Sequence, residues 1–209
     1  MQATLDARSL ADQATDVLLE WVVTGRLAPG STVHEGELTA ALGISRTPVR
    51  EALIRLARDG VVLILPRVGV RIPELDPAEA QALYPVIAAL EGLALASADW
   101  RTGDGVRPLE ACNRRFASAR GLRAILRAYE QWHAALAAAS GNPVLIEQLA
   151  TLRARASRFE YAWFGRDDDR HAAAVADHEA IAAHLARGDT ATGRDRLARH
   201  LLEEVPSPP

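Results

Sequence analysis

The sequence predicts a mainly α-helical chain in two parts: an N-terminal winged helix-turn-helix, with three helices and a β-hairpin wing, and a C-terminal all-helical bundle. Three observations support this prediction. Helical segments separated by a glycine turn precede two β-branched segments that end near residue 72. A break with two prolines follows at residues 73–77. Beyond the break, apolar residues recur at helical spacing to about residue 205, without strand-like alternation.

The first three helices are predicted from apolar stripes and from their end signals. The first stripe ends before Gly25, and a short amphipathic helix at 37–42 stops at Gly43, a residue suited to a tight turn. The third helix begins at Ser45, a favourable N-cap, with Pro48 in the first turn, where its missing N–H costs nothing. The stripes of the first and third helices contain Leu10, Ala14, Val17, Leu18, Trp21 and Val22, and Val49, Ala52, Leu53 and Leu56.

The third helix carries polar residues outside its stripe: Arg46, Thr47 and Arg50. The major groove of DNA admits one helix, and arginine can bond a guanine edge there with two hydrogen bonds. In an arbitrary protein such arginines more often lie on a solvated helix face. Here two predicted strands, 61–65 and 68–72, follow as a hairpin wing, and the complete order of elements favours DNA binding.

Charge and cysteine content narrow the class of protein. The net charge is −3, but residues 42–71 contain six arginines against two acidic residues, which suits binding of nucleic acid at one end only. The one cysteine, Cys112, cannot form an intramolecular disulfide, which suits a reducing cytosol. We find no apolar run of about 18 residues and expect a cytoplasmic protein without a membrane segment.

The proline-rich break sets the predicted domain boundary. We expect a DNA-binding domain at 1–73, a linker at 74–76 and a helical domain at 77–209. Short loops between antiparallel helices predict a bundle of about six helices in the second domain. Its helix breaks fall at 102–105, 120–121, 140–143, 165–167 and 187–189.

Three histidines of the second domain are predicted to face its core. His133, His178 and His200 each share a helix face with apolar residues, on three separate helices. A buried neutral imidazole needs a partner and is a common ligand of transition metals. One such histidine would more often be a hydrogen-bonded core residue. Three leave both a metal site and a hydrogen-bonded polar core open.

Four motifs stand out within residues 8–73. They are Gly25-x-Leu27-x-Pro29-Gly30, Leu38-x-x-Ala41-Leu42-Gly43-Ile44-Ser45-Arg46-Thr47-Pro48-Val49-Arg50-Glu51-Ala52-Leu53, Arg58-Asp59-Gly60-Val61 and Pro66-x-x-Gly69. Together they resemble the winged-helix domain of GntR-family transcription regulators. This resemblance implies that the start of the third helix contacts DNA and that the wing enters the minor groove. The implied contacts are Ser45, Arg46, Thr47, Pro48 and Arg50 on the helix, and Arg67 and Gly69 in the wing. Gly36 stands where members often have a further arginine.

The second domain contains four further motifs. They are Tyr129-x-x-Trp132-His133-x-x-Leu136-x-x-Ala139-Ser140-Gly141-Asn142-Pro143-x-Leu145, Asp177-His178-Glu179-Ala180-Ile181, Gly188-Asp189 and Ala198-Arg199-His200-Leu201. Over residues 77–205 the domain resembles the effector-binding domain of the FCD subgroup of that family. This resemblance implies that His133, His178 and His200 bind zinc or nickel beside a pocket for a small carboxylate effector, which Tyr129 and Glu91 would line.

Two positions depart from the subgroup's pattern. Tyr129 stands where an aspartate normally supplies the fourth metal ligand, and Ile87 stands where an arginine precedes the Leu90-Glu91 pair. The aspartate would neutralise metal charge and the arginine would pair with a carboxylate. We therefore expect an altered effector or a lost one.

Two functions follow as hypotheses. The first is a homodimeric regulator, in particular a repressor, that reads an inverted repeat in double-stranded DNA and responds to a small-molecule effector. The second is a metal-dependent enzyme, because three histidines with an open position can hold a catalytic metal. Against the enzyme, the helical spacing predicts no carboxylate on the same inward faces to act as a general base.

Overall fold

The computed structural model describes residues 9–100, 105–165 and 169–203. The chain divides into two compact units between Leu75 and Asp76. The mainly helical fold class predicted from the sequence is confirmed. The described elements are α1 (Leu10–Val23), β1 (Thr32–Val33), α2 (Glu35–Leu42), α3 (Arg46–Arg58), β2 (Leu63–Leu65), β3 (Gly69–Arg71), α4 (Pro77–Ser97), α5 (Arg107–Ser118), α6 (Leu122–Ala139), α7 (Pro143–Phe164), α8 (Asp169–Ala186) and α9 (Thr190–Glu203).

In the first unit, α1 packs against α3. Ser9 and Asp12 form a capping box at the start of α1, and the Asp12 carboxylate also pairs with Arg55 of α3. The α1–α3 pair is held mainly by burial of apolar side chains from the two predicted stripes, among them Leu18, Val49 and Leu56. The start of α3, which carries the polar residues singled out in the sequence, is therefore held in place by the packing of α3 against α1.

The turn between α2 and α3 depends on Gly43, whose φ of +67° places it in the left-handed region. The second helix begins two residues earlier than predicted, at Glu35. Its first turn is tied back by a hydrogen bond from the backbone N–H of His34 to Oε2 of Glu37, at 3.0 Å. The sequence pattern misses these two residues because neither Glu35 nor Gly36 is apolar.

The wing belongs to a three-stranded antiparallel sheet with the order β1-β3-β2. The strands β2 and β3 are shorter than the predicted segments, and Val61 and Val62 are buried in the approach to β2. The strand β1 pairs Thr32 with Arg71 and Val33 with Val70. A two-residue strand is too short to show alternation, which is why the sequence pattern does not predict it.

The second unit is a bundle formed by α4 to α9. Two of the predicted helix breaks, 102–105 and 165–167, lie mostly outside the described residues. Of the described helices, α4 is long and apolar enough by length and composition to cross a membrane, but half of its apolar window is buried in the bundle. A core helix passes the same test, so this property is weak evidence for a membrane span.

Candidate functional site

The outer face of α3 presents the polar residues singled out in the sequence. Arg46, Thr47 and Arg50 are exposed, whereas Val49 on the same turn is fully buried. Ser45 has the extended backbone of an N-cap residue (φ −68°, ψ 164°), but its side chain makes no capping hydrogen bond within the described part of the chain. Ser45 is thus an N-cap residue by its backbone conformation, but its hydroxyl does not cap the helix.

A cleft of about 400 Å³ separates α3 from the tip of the wing. Arg50 borders it on the helix, and Arg67 borders it on the wing. Arg67 has a φ of +64°, which is uncommon for a residue with a Cβ and stores backbone strain. The fold therefore brings the helix residue and the wing residue of the predicted DNA surface to the two sides of one cleft.

In the second unit, the structure brings His133, His178 and His200 together, from α6, α8 and α9. Their side chains are almost completely buried, and one ring nitrogen from each lies within 4.8 Å of the other two. Burial holds the pKa of His133 and of His178 well below the usual value, because a charged imidazole would be desolvated. Two of the three imidazoles are therefore neutral at neutral pH, the form that binds metals.

Carboxylates contact two of these imidazoles at Nδ1, the ring nitrogen on the side away from the centre of the cluster. Nδ1 of His133 lies 2.7 Å from Oε2 of Glu91, and Nδ1 of His200 lies 3.3 Å from Oδ2 of Asp177. The hydrogen bond from His200 lowers the pKa of Asp177, whereas burial raises the pKa of Glu91 to about 7. With the Nδ1–H tautomer of each ring, the carboxylate accepts the hydrogen bond and a neutral imidazole keeps its lone pair at Nε2.

The ring nitrogens that face the centre are poorly satisfied. Neither nitrogen of His178, nor Nε2 of His133, has a hydrogen-bond partner among the described residues. The ring of His178 stacks on Trp132 with centroids 3.7 Å apart and planes 6° apart. Buried polar atoms without partners are costly, and imidazole nitrogens that converge on one point from three helices are a donor set that suits zinc or nickel. The residues present therefore fit the metal that the resemblance implies.

Tyr129 lies inside the cluster rather than beside it. Its side chain is fully buried, and its hydroxyl lies 3.0 Å from Nε2 of His200. When the ring of His200 is neutral and its Nδ1–H points at Asp177, the tyrosine O–H is the donor in this contact. The hydroxyl thus hydrogen-bonds to the ring nitrogen that a metal would need.

Sequence reasoning missed a buried ionic group next to the cluster. Nη2 of Arg153 lies 2.9 Å from Oε1 of Glu160, and Nη1 of Arg153 lies 3.6 Å from Oε1 of Glu91. The Arg153 guanidinium also lies 5.1 Å from the centre of the Tyr129 ring. Glu91 and Glu160 are both buried here, on α4 and α7 rather than on the three histidine-bearing helices for which the sequence predicts no inward carboxylate. The seven-residue spacing of Arg153 and Glu160, two helix turns, was the available signal.

Comparison with known proteins identifies both units. Residues 10–72 match the bacterial regulatory proteins of the gntR family, and residues 82–203 match the FCD domain. The chain belongs to the FCD subgroup of the GntR family. The names of this family and of its relatives are those of transcriptional regulators rather than enzymes.

Three similar proteins give the extent of the likeness. This GntR-family chain is 28% identical over 213 residues to a probable D-xylose utilization operon transcriptional repressor of Paenarthrobacter nicotinovorans, a match that covers 97% of this chain and 90% of that one. It is 49% identical over 61 residues, 29% of its own length, to an uncharacterized HTH-type transcriptional regulator in an unstable DNA locus of Streptomyces ambofaciens, and spans only 26% of that relative. The solved structure of Escherichia coli McbR/YncC shares the fold, with a TM-score of 0.81, 22% identity and coverage of 95% and 96%.

Proposed function

We propose that this GntR-family chain is a cytoplasmic transcriptional repressor that binds an inverted-repeat operator in double-stranded DNA as a homodimer. The observation that carries the proposal is the outer face of α3, where Arg46, Thr47 and Arg50 are exposed on a helix packed by its opposite face. The residues proposed to contact DNA directly are the seven that the family resemblance implies: Ser45, Arg46, Thr47, Pro48, Arg50, Arg67 and Gly69. Relatives whose names state repression support the sign of regulation.

The homodimer is supported by the outer face of α4. Val86 and Leu93 are each about half exposed there, at 48% and 52%, and alanines at positions 82, 89 and 96 continue the same face without a charged residue. Monomeric proteins rarely expose a continuous apolar surface of this kind. A second copy of the chain is the occupant we propose, since two recognition helices are needed to read an inverted repeat.

For the helical unit we propose a metal-dependent effector site. His133, His178 and His200 hold zinc or nickel, with Tyr129 beside the ion and Glu91 behind the ring of His133. Such a metal, when bound, supplies a Lewis acid that takes an oxygen ligand of a small molecule. The support is the set of buried ring nitrogens without partners, and this chain's own residues orient the rings and exclude water. Metal binding requires the Tyr129 hydroxyl to leave Nε2 of His200.

Selection from a random double-stranded DNA library tests the DNA-binding proposal without knowledge of the operator. We expect the full chain to enrich an inverted repeat whose half-site spacing reflects a two-fold axis. Binding should weaken steeply with salt, because phosphate contacts release counterions. Enrichment of no sequence, or of a single unrepeated half-site, would contradict the proposed dimeric reader.

A further inference from the structure

We propose that Glu91 and Asp177 are the positioning residues of the histidine cluster, each turning one imidazole so that its Nε2 faces the common centre. This inference rests on the proposed metal site and concerns residues behind the ligands. A histidine that donates its other N–H to a carboxylate has its tautomer and its ring orientation fixed. The two carboxylates come from different helices, Glu91 from α4 and Asp177 from α8.

The contact of Glu91 with His133 is the shorter of the two. The Oε2–Nδ1 distance is 2.7 Å, and both side chains are about 1% exposed, so no water competes for the carboxylate. The other oxygen of Glu91, Oε1, faces Nη1 of Arg153 at 3.6 Å. Arg153 is itself held by Glu160. Glu91 is therefore anchored at both oxygens and can fix the ring of His133 rather than follow it.

Asp177 is anchored in the same manner. Its Oδ2 accepts from Nδ1 of His200, and its Oδ1 accepts from Nη2 of Arg196 at 2.7 Å. Arg196 lies one turn before His200 on α9, so the carboxylate ties α8 to two positions of that helix. His200 keeps its Nε2 toward the cluster as a consequence.

His178 is oriented by ring stacking rather than by a carboxylate. Its ring stacks on Trp132, and neither of its nitrogens has a hydrogen-bond partner within the described ranges. The cluster thus contains two imidazoles that a carboxylate orients and one that an aromatic face orients. Carboxylates therefore control metal affinity through His133 and His200 and not through His178.

The chain offers two matched controls. His184 and Asp189 form a second histidine–aspartate pair, with 3.0 Å between Nδ1 and Oδ2, outside the cluster. Glu160 is a buried carboxylate that forms an ion pair with the same Arg153 as Glu91. Asp189→Asn therefore controls for loss of a histidine–aspartate bond, and Glu160→Gln controls for loss of a buried acidic partner of Arg153.

The experiment is a zinc titration of the full chain against a chromogenic chelator, combined with the visible spectrum of the cobalt-substituted protein. We expect Asp177→Ala and Glu91→Gln each to weaken zinc binding about 10- to 100-fold and to alter the cobalt spectrum. Asp177→Glu, which keeps a carboxylate, should recover part of the affinity. Asp189→Asn should bind zinc like the parent chain, and Glu160→Gln, which reaches the cluster only through Arg153, should weaken zinc binding less than Glu91→Gln does.

Two results overturn the proposal and are distinguishable. If the parent chain binds zinc, His178→Ala abolishes binding and both carboxylate variants match the parent, the metal site stands and the positioning role fails. If the parent chain itself binds neither zinc nor cobalt, the proposed metal site fails as well. Asp177 is partly exposed, so its variant remains informative even where Glu91→Gln does not fold.

Discussion

Arg50 illustrates how one residue can be changed without disturbing the packing beneath it. Its neighbours Val49 and Ala52 are fully buried, whereas Arg50 points to solvent beside the cleft under the wing. A change at this position therefore removes the guanidinium and leaves the base of α3 intact. An effect on DNA binding can then be read as loss of a contact.

Arg50→Ala is expected to cost about 1–3 kcal/mol of specific operator binding and to relax the preference at one base pair. The reason is loss of a two-hydrogen-bond contact to a base edge. Fluorescence anisotropy with the selected operator measures it, with Arg58→Ala, an exposed change at the far end of α3, as the control. Unchanged operator affinity in the Arg50 variant would remove Arg50 from the contact set.

Tyr129 is a second residue whose role can be tested by a small change, the removal of its hydroxyl group. Tyr129→Phe removes the hydroxyl that hydrogen-bonds to Nε2 of His200, the nitrogen proposed to bind metal. A net hydrogen bond is worth about 0.5–1.5 kcal/mol, so zinc affinity should rise about two- to tenfold. Competition titration measures this, with Tyr161→Phe as the control. A fall in affinity would instead make the Tyr129 oxygen a ligand.

At the scale of elements, long periodic helices were predictable and short or non-local features were not. The stripe of α3 gave its buried face directly, because Val49, Ala52, Leu53 and Leu56 repeat at helical spacing. The inward histidines were predictable for the same reason. The Arg153–Glu160–Glu91 group was not predictable, because it joins α7 to α4. Only the tertiary fold shows which charged side chains are buried away from water.

The wing depends on one glycine. Gly69 begins β3 with a φ of +133°, and a Cβ there would lie 2.6 Å from the carbonyl oxygen of Val33 in β1. Gly69→Ala should therefore destabilise the N-terminal unit by about 1–3 kcal/mol through backbone strain and a clash with backbone. Chemical denaturation monitored by circular dichroism measures the change.

Gly36→Ala is the matched control for that prediction. Gly36 lies inside α2, and a Cβ there meets no atom within 4 Å. Alanine should stabilise the helix by about 0.5–1 kcal/mol, since glycine loses more conformational freedom on folding. If both substitutions change stability equally, the tight approach of the wing to β1 is not what requires Gly69.

At the scale of the whole molecule, the proposed homodimer predicts that one charge on the outer face of α4 separates two copies. Leu93→Glu places a carboxylate where an apolar partner surface is expected, so the apparent mass should fall toward that of one chain. Sedimentation velocity measures it. Val144→Glu, at a 67% exposed aliphatic position on α7, should leave the mass unchanged. Equal behaviour of both variants would place the interface elsewhere.

We propose a regulator in which the N-terminal unit contacts DNA and the C-terminal unit senses a ligand. The proposed ligand sensing depends on the buried histidines forming a metal centre rather than a hydrogen-bonded core. The most direct test is the metal content of the purified, untagged chain by elemental mass spectrometry, with His178→Ala beside it. We expect about one zinc or nickel per chain, and we expect the variant to lose it. No metal in the parent chain, or equal metal in both, would contradict this expectation.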